Sequence, residues 1–243
     1  IMFKFLKKIM KYEEVNLTND AYSLHRILKT DIKKDPNIEE DEIIFGCGCF
    51  WGAEKCFWKL PGVITTSVGY AGGEKNNPTY YEVCSGLTGH SEVVRVIWDK
   101  REIDVSDLLK MFWECHDPTQ KNRQGNDMGT QYRSAIYYKN ENNIKTILAS
   151  KEQYQTELSK KNLGLIETEI KMIDSYFYAE QYHQQYLASA GSRQYCSASP
   201  TKVKLGVFTG SNYKLEDHIW ENFNWEVDKC VLRSDNNPIK NNI

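Results

Sequence analysis

The stretch Ile43-Ile44-Phe45-Gly46-Cys47-Gly48-Cys49-Phe50-Trp51-Gly52-Ala53-Glu54-Lys55-Cys56-Phe57-Trp58-Lys59-Leu60-Pro61-Gly62 changes its periodicity partway along. Ile43 to Phe45 is a short apolar run that reads as a buried strand, and Gly46-Cys47-Gly48 stops it. Apolar residues then recur at Ala53, Cys56, Phe57 and Leu60, the i, i+3, i+4, i+7 spacing of an amphipathic helix, which Pro61-Gly62 ends. A strand, a glycine turn and a helix therefore follow one another, and Cys49 stands where the helix begins.

Working outward, Val63 to Val68 and Glu92 to Trp98 read as strands. In the second, Val94, Val96 and Trp98 alternate with Arg95 and Ile97, the pattern of a half-buried strand. A glycine-punctuated loop, 69–90, separates them. Leu108, Leu109, Phe112 and Trp113 mark a second helix that Asp117-Pro118 terminates, because the residue before proline avoids helical geometry. A polar loop over 119–131 follows, then a strand over 132–138, an exposed helix over 142–162, a strand over 166–173 and an aromatic-rich helix over 178–187. This order implies an α+β domain, a two-layer sandwich with a mixed β-sheet and a ferredoxin-like β-α-β-β-α-β core.

The composition excludes several classes. Lys and Arg number 31 against 33 Asp and Glu, a net charge of −2, so nothing electrostatic favours nucleic acid or anionic lipid as a partner. No run of about 18 apolar residues occurs to span a membrane. The apolar fraction of 40% is slightly low for a globular domain, which suggests one core diluted by polar ends. We read residues 1–41 as an N-terminal extension, 42–205 as the catalytic domain and 206–243 as a C-terminal extension. Trp220, Phe223 and Trp225 in the last should pack on something. The start, Ile1 to Lys11, mixes apolar and basic residues without a secretory apolar core, and reads as a solvated helical extension. The acidic run Glu39-Glu40-Asp41-Glu42 argues against a longer transit peptide. The expected location is the cytoplasm, with a short organellar presequence left open.

Seven cysteines cannot pair off completely, and their density is far below that of a disulfide scaffold. They read as thiols, at least one of them reactive. Cys49 is the candidate: unpaired N–H groups and the dipole at a helix N-terminus favour the thiolate and can lower a thiol pKa from ~8.5 to ~7 or below. Gly46, Gly48 and Gly52 would leave room for a ligand to approach the backbone. Phe50 and Trp51 would supply apolar walls for a methyl or thioether group.

Gly48-Cys49-Phe50-Trp51-Gly52 resembles the signature of the A-class peptide methionine sulfoxide reductases. The likeness continues through Val68-Gly69-Tyr70-Ala71-Gly72-Gly73, Asn77-Pro78-Thr79-Tyr80, Thr88-Gly89-His90-Ser91-Glu92 and His116-Asp117-Pro118-Thr119. It extends through Gln124 to Ser134 and Ala179 to Leu187, so it covers residues 42–205. The resemblance implies repair of oxidative damage by reduction of methionine S-sulfoxide in proteins, in peptides and as the free amino acid, with Cys49 as nucleophile and Glu92 as acid. It further implies that Tyr80 and Tyr132 donate hydrogen bonds to the sulfoxide oxygen, that Phe50 and Trp51 cradle the S-methyl group, and that Asp127 binds a substrate backbone N–H. The enzyme would then be a monomer without a bound cofactor or metal. Its substrates would be oxidised proteins and peptides, and an external thiol reductant would serve it, thioredoxin or, in vitro, dithiothreitol.

After oxygen transfer Cys49 would be a sulfenic acid that a second thiol converts to a disulfide. By resemblance, resolving cysteines lie after the last helix, where Cys196 stands. The glycine-rich stretch with a further cysteine seen in some relatives is replaced here by Lys204-Leu205-Gly206-Val207-Phe208. Cys196 is the expected resolver, with a relay through Cys230 and direct reduction of the sulfenic acid as alternatives. Cys56, Cys84 and Cys115 read as packed, and Cys47 as too close to Cys49 for an unstrained ring. A zinc module using Cys47, Cys49, His90, Cys115 and His116 is the rival from another class, and its spacing is poor.

Overall fold

Strand β1 (Glu40–Cys47) runs into helix α1 (Phe50–Trp58), and β2 (Val63–Ala71), α2 (Tyr80–Cys84), β3 (Ser91–Asp99) and α3 (Val105–Cys115) follow. A two-residue-stranded hairpin, β4 (Arg123–Gln124) and β5 (Asp127–Met128), precedes β6 (Ser134–Tyr138), α4 (Ile144–Lys160), β7 (Glu169–Met172) and β8 (Tyr176–Tyr178). Two short helices, α5 (Asp217–Trp220) and α6 (Cys230–Arg233), complete the order. The computed structural model describes residues 23–227 and 230–241, so the start Ile1–Lys11 lies outside the described residues.

The main sheet has the order β7-β6-β1-β3-β2-β8. β7 runs parallel to β6 and the remaining pairs are antiparallel, so the sheet is mixed and the fold is α+β. The alternation of β1 sends Ile43, Phe45 and Cys47 into the main core, where Phe45 stacks on Phe57 of α1 at 4.9 Å and Phe112 of α3 at 5.0 Å. Ile44 points to the opposite face, into a smaller cluster with Ala71, Val93, Ala135, Tyr137 and Ile173.

β3 is buried along its whole length rather than half-buried. The cover over its second face comes from far away in sequence. Arg95 there donates from Nε to Glu42 at 2.6 Å and from its other nitrogens to the carbonyls of Ile32 and Lys34 and the hydroxyl of Tyr178. A guanidinium so enclosed is tolerable only because its donors are paired in this way. The segment before β1 is tied down further by Thr30 Oγ1 donating to Ile64 O at 2.7 Å and by His25 against Thr66 at 2.9 Å.

The aromatic-rich helix expected over 178–187 is absent. Its place is taken by β8 and two 3₁₀ turns, Gln181–His183 and Tyr186–Ala188. The Gln184 amide explains the change: it accepts from Val68 N and donates to Val68 O, standing in for a strand on the edge of β2. Gln185 then adopts a left-handed backbone, φ 46°, which no continuous helix allows. The expected loop 69–90 likewise carries more structure, since β2 runs on to Ala71 and α2 is closed by a capping box between Thr79 and Glu82.

The C-terminal aromatic residues pack as expected: Phe223 is buried and stacks on Trp225 at 5.6 Å. Beyond them the chain lies along α1. Lys55 donates to Ser234 O, Trp58 Nε1 to Asn236 O, and Lys59 to the carbonyls of Asp235 and Asn237. Every residue of α1 is consequently buried. The helix that presents Cys49 is thus clamped by the sheet on one side and the tail on the other.

Candidate active site

Cys49 is the N-cap of α1, and no side-chain hydrogen bond leaves its thiol to cap the helix. Gly48 makes the turn at φ 84°, a conformation side chains disfavour, and so separates Cys47 in the sheet from Cys49 at the helix start. The first turn of α1 points backbone N–H groups at the site, and Phe50 N donates to Glu92 Oε2 at 3.2 Å. The start of β3 and the start of α1 thereby bring Cys49 and Glu92 together.

The electrostatics of this pair differ from the local expectation. Burial raises the Cys49 thiol well above its ordinary value, and the nearby Glu92 carboxylate raises it further, while the N–H of Trp51 pulls the other way. The helix terminus acts in the expected direction but is outweighed. Glu92 is 2% exposed. Burial pushes its carboxyl up to about 8, against the Phe50 N–H, and Asp127 adds to the rise. At neutral pH the resting site therefore holds a neutral thiol beside a neutral carboxylic acid.

Tyr80, from α2, and Tyr132, from the turn before β6, both lie within the field of Glu92, and burial holds both phenols protonated. Tyr80 is held from behind by Glu180, whose two oxygens accept from Tyr80 N at 2.8 Å and from the Tyr70 hydroxyl at 2.8 Å. Phe50 and Trp51 line an aromatic hollow with His183, whose ring lies 5.2 Å from Phe50, 5.7 Å from Trp51 and 4.5 Å from Tyr80. Burial lowers His183 to about 3, so it is neutral, and because Trp51 Nε1 donates to its Nδ1 at 3.1 Å the ring proton resides on Nε2. Trp51 stacks on Tyr186 at 3.9 Å.

Asp127, on the β4–β5 hairpin, faces the same opening and accepts from the Tyr195 hydroxyl at 2.6 Å. Its neighbour Gln124 accepts from Asp117 N at 3.2 Å and from Ser199 N at 3.0 Å, fastening the segment that contains Cys196. That segment forms neither helix nor strand, and Cys196 is buried. Its thiol rests against Gly52, where any Cβ would strike Sγ. Gly48 admits the Gln124 side chain in the same way, and Gly46 lies against Arg133 O and Ser91 Oγ. The three glycines make room for this protein's own chain rather than for a ligand.

Of the remaining expectations, Cys56 and Cys115 are buried, whereas Cys84 is exposed at the end of α2. The side chain of Cys230 lies outside the described residues. Among the described cysteines none is in a disulfide. The five residues of the zinc reading are not gathered: Cys47, Cys115 and His116 have ligand atoms within 4.8 Å of one another, but His90 is engaged by Gly73 N and Lys75 O. Both His116 nitrogens are also used, by Phe112 O and Ser134 Oγ at 2.7 Å each, which leaves a poor donor set for a metal.

Glu54, Glu180, His183 and Gln185 were not singled out by the sequence. Glu54 is fully buried at about 7, raised by burial, and accepts from Thr66 Oγ1, Gln185 N and Gln185 Nε2. It anchors the 3₁₀ turns behind the hollow. For Glu180, His183 and Gln185 the signal was their place in Ala179–Leu187, obscured by the helical reading; Glu54 stood in the opening stretch, a charge on a helix whose every residue is buried.

A helix-start thiol, a neutral acid and two phenols around an aromatic hollow make the site of a thiol-dependent oxidoreductase. Residues 41–213 match the family described as peptide methionine sulfoxide reductase. The chain is 53% identical over 180 residues to the peptide methionine sulfoxide reductase MsrA of Vibrio vulnificus, covering 74% of this chain and 86% of that protein. It is 57% identical over 164 residues to the protein of that name in Azotobacter vinelandii, covering 68% and 76%. In structure it is similar to methionine sulfoxide reductase A of Corynebacterium diphtheriae, with a TM-score of 0.64 and 42% identity over 75% of this chain and 88% of that one. It is also similar to Mxr1 of Saccharomyces cerevisiae in reduced form, with a TM-score of 0.62 and 34% identity over 68% and 92%. The chain belongs to the peptide methionine sulfoxide reductase family, the enzymes that return methionine sulfoxide to methionine.

Proposed function

We propose that this enzyme reduces methionine S-sulfoxide in oxidised proteins and peptides by moving one proton within a buried, neutral site. The carrying observation is the pairing of Cys49 with a Glu92 whose carboxyl is pushed up to about 8. Cys49 Sγ attacks the sulfoxide sulfur, and its electron pair forms the new bond as the S–O bond weakens. The thiol proton passes to Glu92, and Glu92 gives its own to the oxygen. The hydroxyl then passes from the substrate sulfur to Cys49 Sγ: the S–O bond and the new Sγ–S bond break, an Sγ–O bond forms, and methionine leaves with the freed electron pair. Cys49 is left as a sulfenic acid, and no proton is drawn from solvent. Tyr80 and Tyr132 donate to the oxygen as it gains negative charge. Phe50 and Trp51 hold the methyl group, and Asp127 accepts from a backbone N–H of the substrate. Cys196 then displaces hydroxide from the sulfenic sulfur as water, closing a Cys49–Cys196 disulfide that thioredoxin or dithiothreitol reduces.

The reading includes a monomeric cytoplasmic enzyme with no bound cofactor, and it treats 42–205 as the catalytic domain. Its core is read as ferredoxin-like, supported by the local order β6-β1-β3-β2 with α1 and α3 as crossovers. The test is a dithiothreitol-supported assay on a peptide carrying either sulfoxide epimer. Reduction of the S epimer is expected; reduction of the R epimer alone, or of neither, overturns the reading.

A Cys196→Ser variant tests the resolver. Because Cys196 rests against Gly52 and acts only after methionine has formed, the variant is expected to form about one methionine per chain in a single turnover yet to lose thioredoxin-supported turnover. Methionine counting and NADPH-coupled recycling measure the two. Unchanged recycling would remove Cys196 from the scheme.

A further inference from the structure

Against α1 a small cavity is lined by Cys47, Cys56, Cys115 and Cys196, together with Gly52 and Ala53. Three elements converge there: Cys47 ends β1, Cys56 lies on the inner face of α1, and Cys115 ends α3. The Sγ atoms of Cys47 and Cys115 lie within 4.8 Å of each other, and Cys115 also interacts with Cys56. Cys196 stands between this group and the catalytic thiol, close enough to Cys49 and to Cys115 to influence both. Pro200 and the tail residues Trp225, Val227 and Val231 complete the lining of the cavity.

We propose that Cys47 and Cys115 form a second, internal dithiol that reduces the Cys49–Cys196 disulfide, letting one chain reduce two sulfoxides before any external reductant acts. The proposal rests on the roles given above to Cys49 and Cys196. In the first step Cys115 Sγ attacks Cys196 Sγ, the Cys49–Cys196 bond breaks, and the proton lost by Cys115 goes to the departing Cys49 sulfur. In the second step Cys47 Sγ attacks Cys115 Sγ, the Cys115–Cys196 bond breaks, and the Cys47 proton goes to Cys196. Two electrons and two protons have moved: Cys47 and Cys115 are oxidised to a disulfide, and Cys49 and Cys196 are reduced to thiols. The methionine sulfoxide is the oxidant throughout. The hydrogen bond with Cys47, together with burial, keeps the Cys115 thiol protonated, and exchange needs the thiolate, so this transfer is slower than the first methionine formation.

The experiment counts methionine formed per chain from excess S-sulfoxide peptide without reductant, in wild type, Cys47→Ala and Cys115→Ala. Wild type is expected to release about one methionine rapidly and a second in a slower phase, a total of about two. Cys115→Ala is expected to stop at about one, whereas Cys47→Ala, in which the first exchange still frees Cys49, is expected to form about two and to end with Cys115 linked to Cys196; both keep their dithiothreitol-supported rate, which shows that they are folded. Peptide mapping of the wild type after the slow phase should show Cys47 linked to Cys115. A wild-type total of about one overturns the proposal, as does a total of about two in Cys115→Ala, a Cys47→Ala chain that does not accumulate the Cys115–Cys196 peptide, or a wild-type slow phase without the Cys47–Cys115 peptide. Absence of even the first methionine overturns the reading of Cys49 instead, and this inference with it.

Discussion

Cys49→Ser abolishes methionine formation from an S-sulfoxide peptide, with a loss of more than about 1,000-fold in dithiothreitol, while the folded state is kept. The two halves of this expectation have separate physical grounds. Sulfur attack requires a polarisable nucleophile whose oxidised product, an S–OH, can be reduced by a second thiol; a serine hydroxyl gives neither. For the fold, Cys49 is an N-cap whose own side chain makes no capping hydrogen bond, and serine is among the preferred residues there. The variant should therefore melt at or above the wild-type temperature. An assay with released methionine as readout, beside a thermal melt, separates the effects. Retained activity would falsify the assignment, and lost activity with a lowered melting temperature would make the position structural.

The strand, glycine turn and helix around Cys49 were legible because the periodicity switches within one short stretch, and local spacing suffices for that. β3 was misjudged because alternation reports which residues face the core but not what covers the other face. That cover is Arg95 reaching back to Ile32 and Lys34, pairings 61 to 63 residues away. The 178–187 segment looked helical because its aromatic residues recur at helical spacing, yet the Gln184 amide is committed to Val68, 116 residues away. The site shows the same division. Cys49 at a helix start was readable, and so by resemblance were Glu92, Tyr80, Tyr132 and Asp127. The rise in the Cys49 pKa was not, because burial and Glu92 are contributed by chain folded from elsewhere, and they outweigh the local helix terminus. The fit of Gly52 to Cys196 was equally hidden: a glycine shows that space is needed, and only the fold shows what fills it.

Glu92→Gln carries the second large effect, a fall in the rate of methionine formation of about 100- to 10,000-fold, the range typical for loss of a positioned acid. Glutamine keeps the shape and can still accept from Phe50 N, but it cannot take the thiol proton and return one to the oxygen. The pH dependence distinguishes this role from packing. Glu92 is raised from 4.5 to about 8, so the proton-carrying form is present in the wild type through neutral pH and lost as pH rises through about 8. Single-turnover rates in the wild type should therefore be level near neutrality and fall above that point, and the variant should lack this alkaline limb. The sign for stability is parallel. A carboxyl whose folded pKa lies above its unfolded value stabilises the fold fully below the unfolded value and loses that contribution as pH rises through the folded one. Glutamine cannot ionise, so the variant should tolerate alkaline pH at least as well as the wild type in a melting series. A wild-type rate that rises through pH 8, or a Gln variant within a few-fold of wild type, would show that Glu92 does not move the proton; thiolate formation at Cys49 alone would then have to drive the attack, against the burial that holds this thiol neutral.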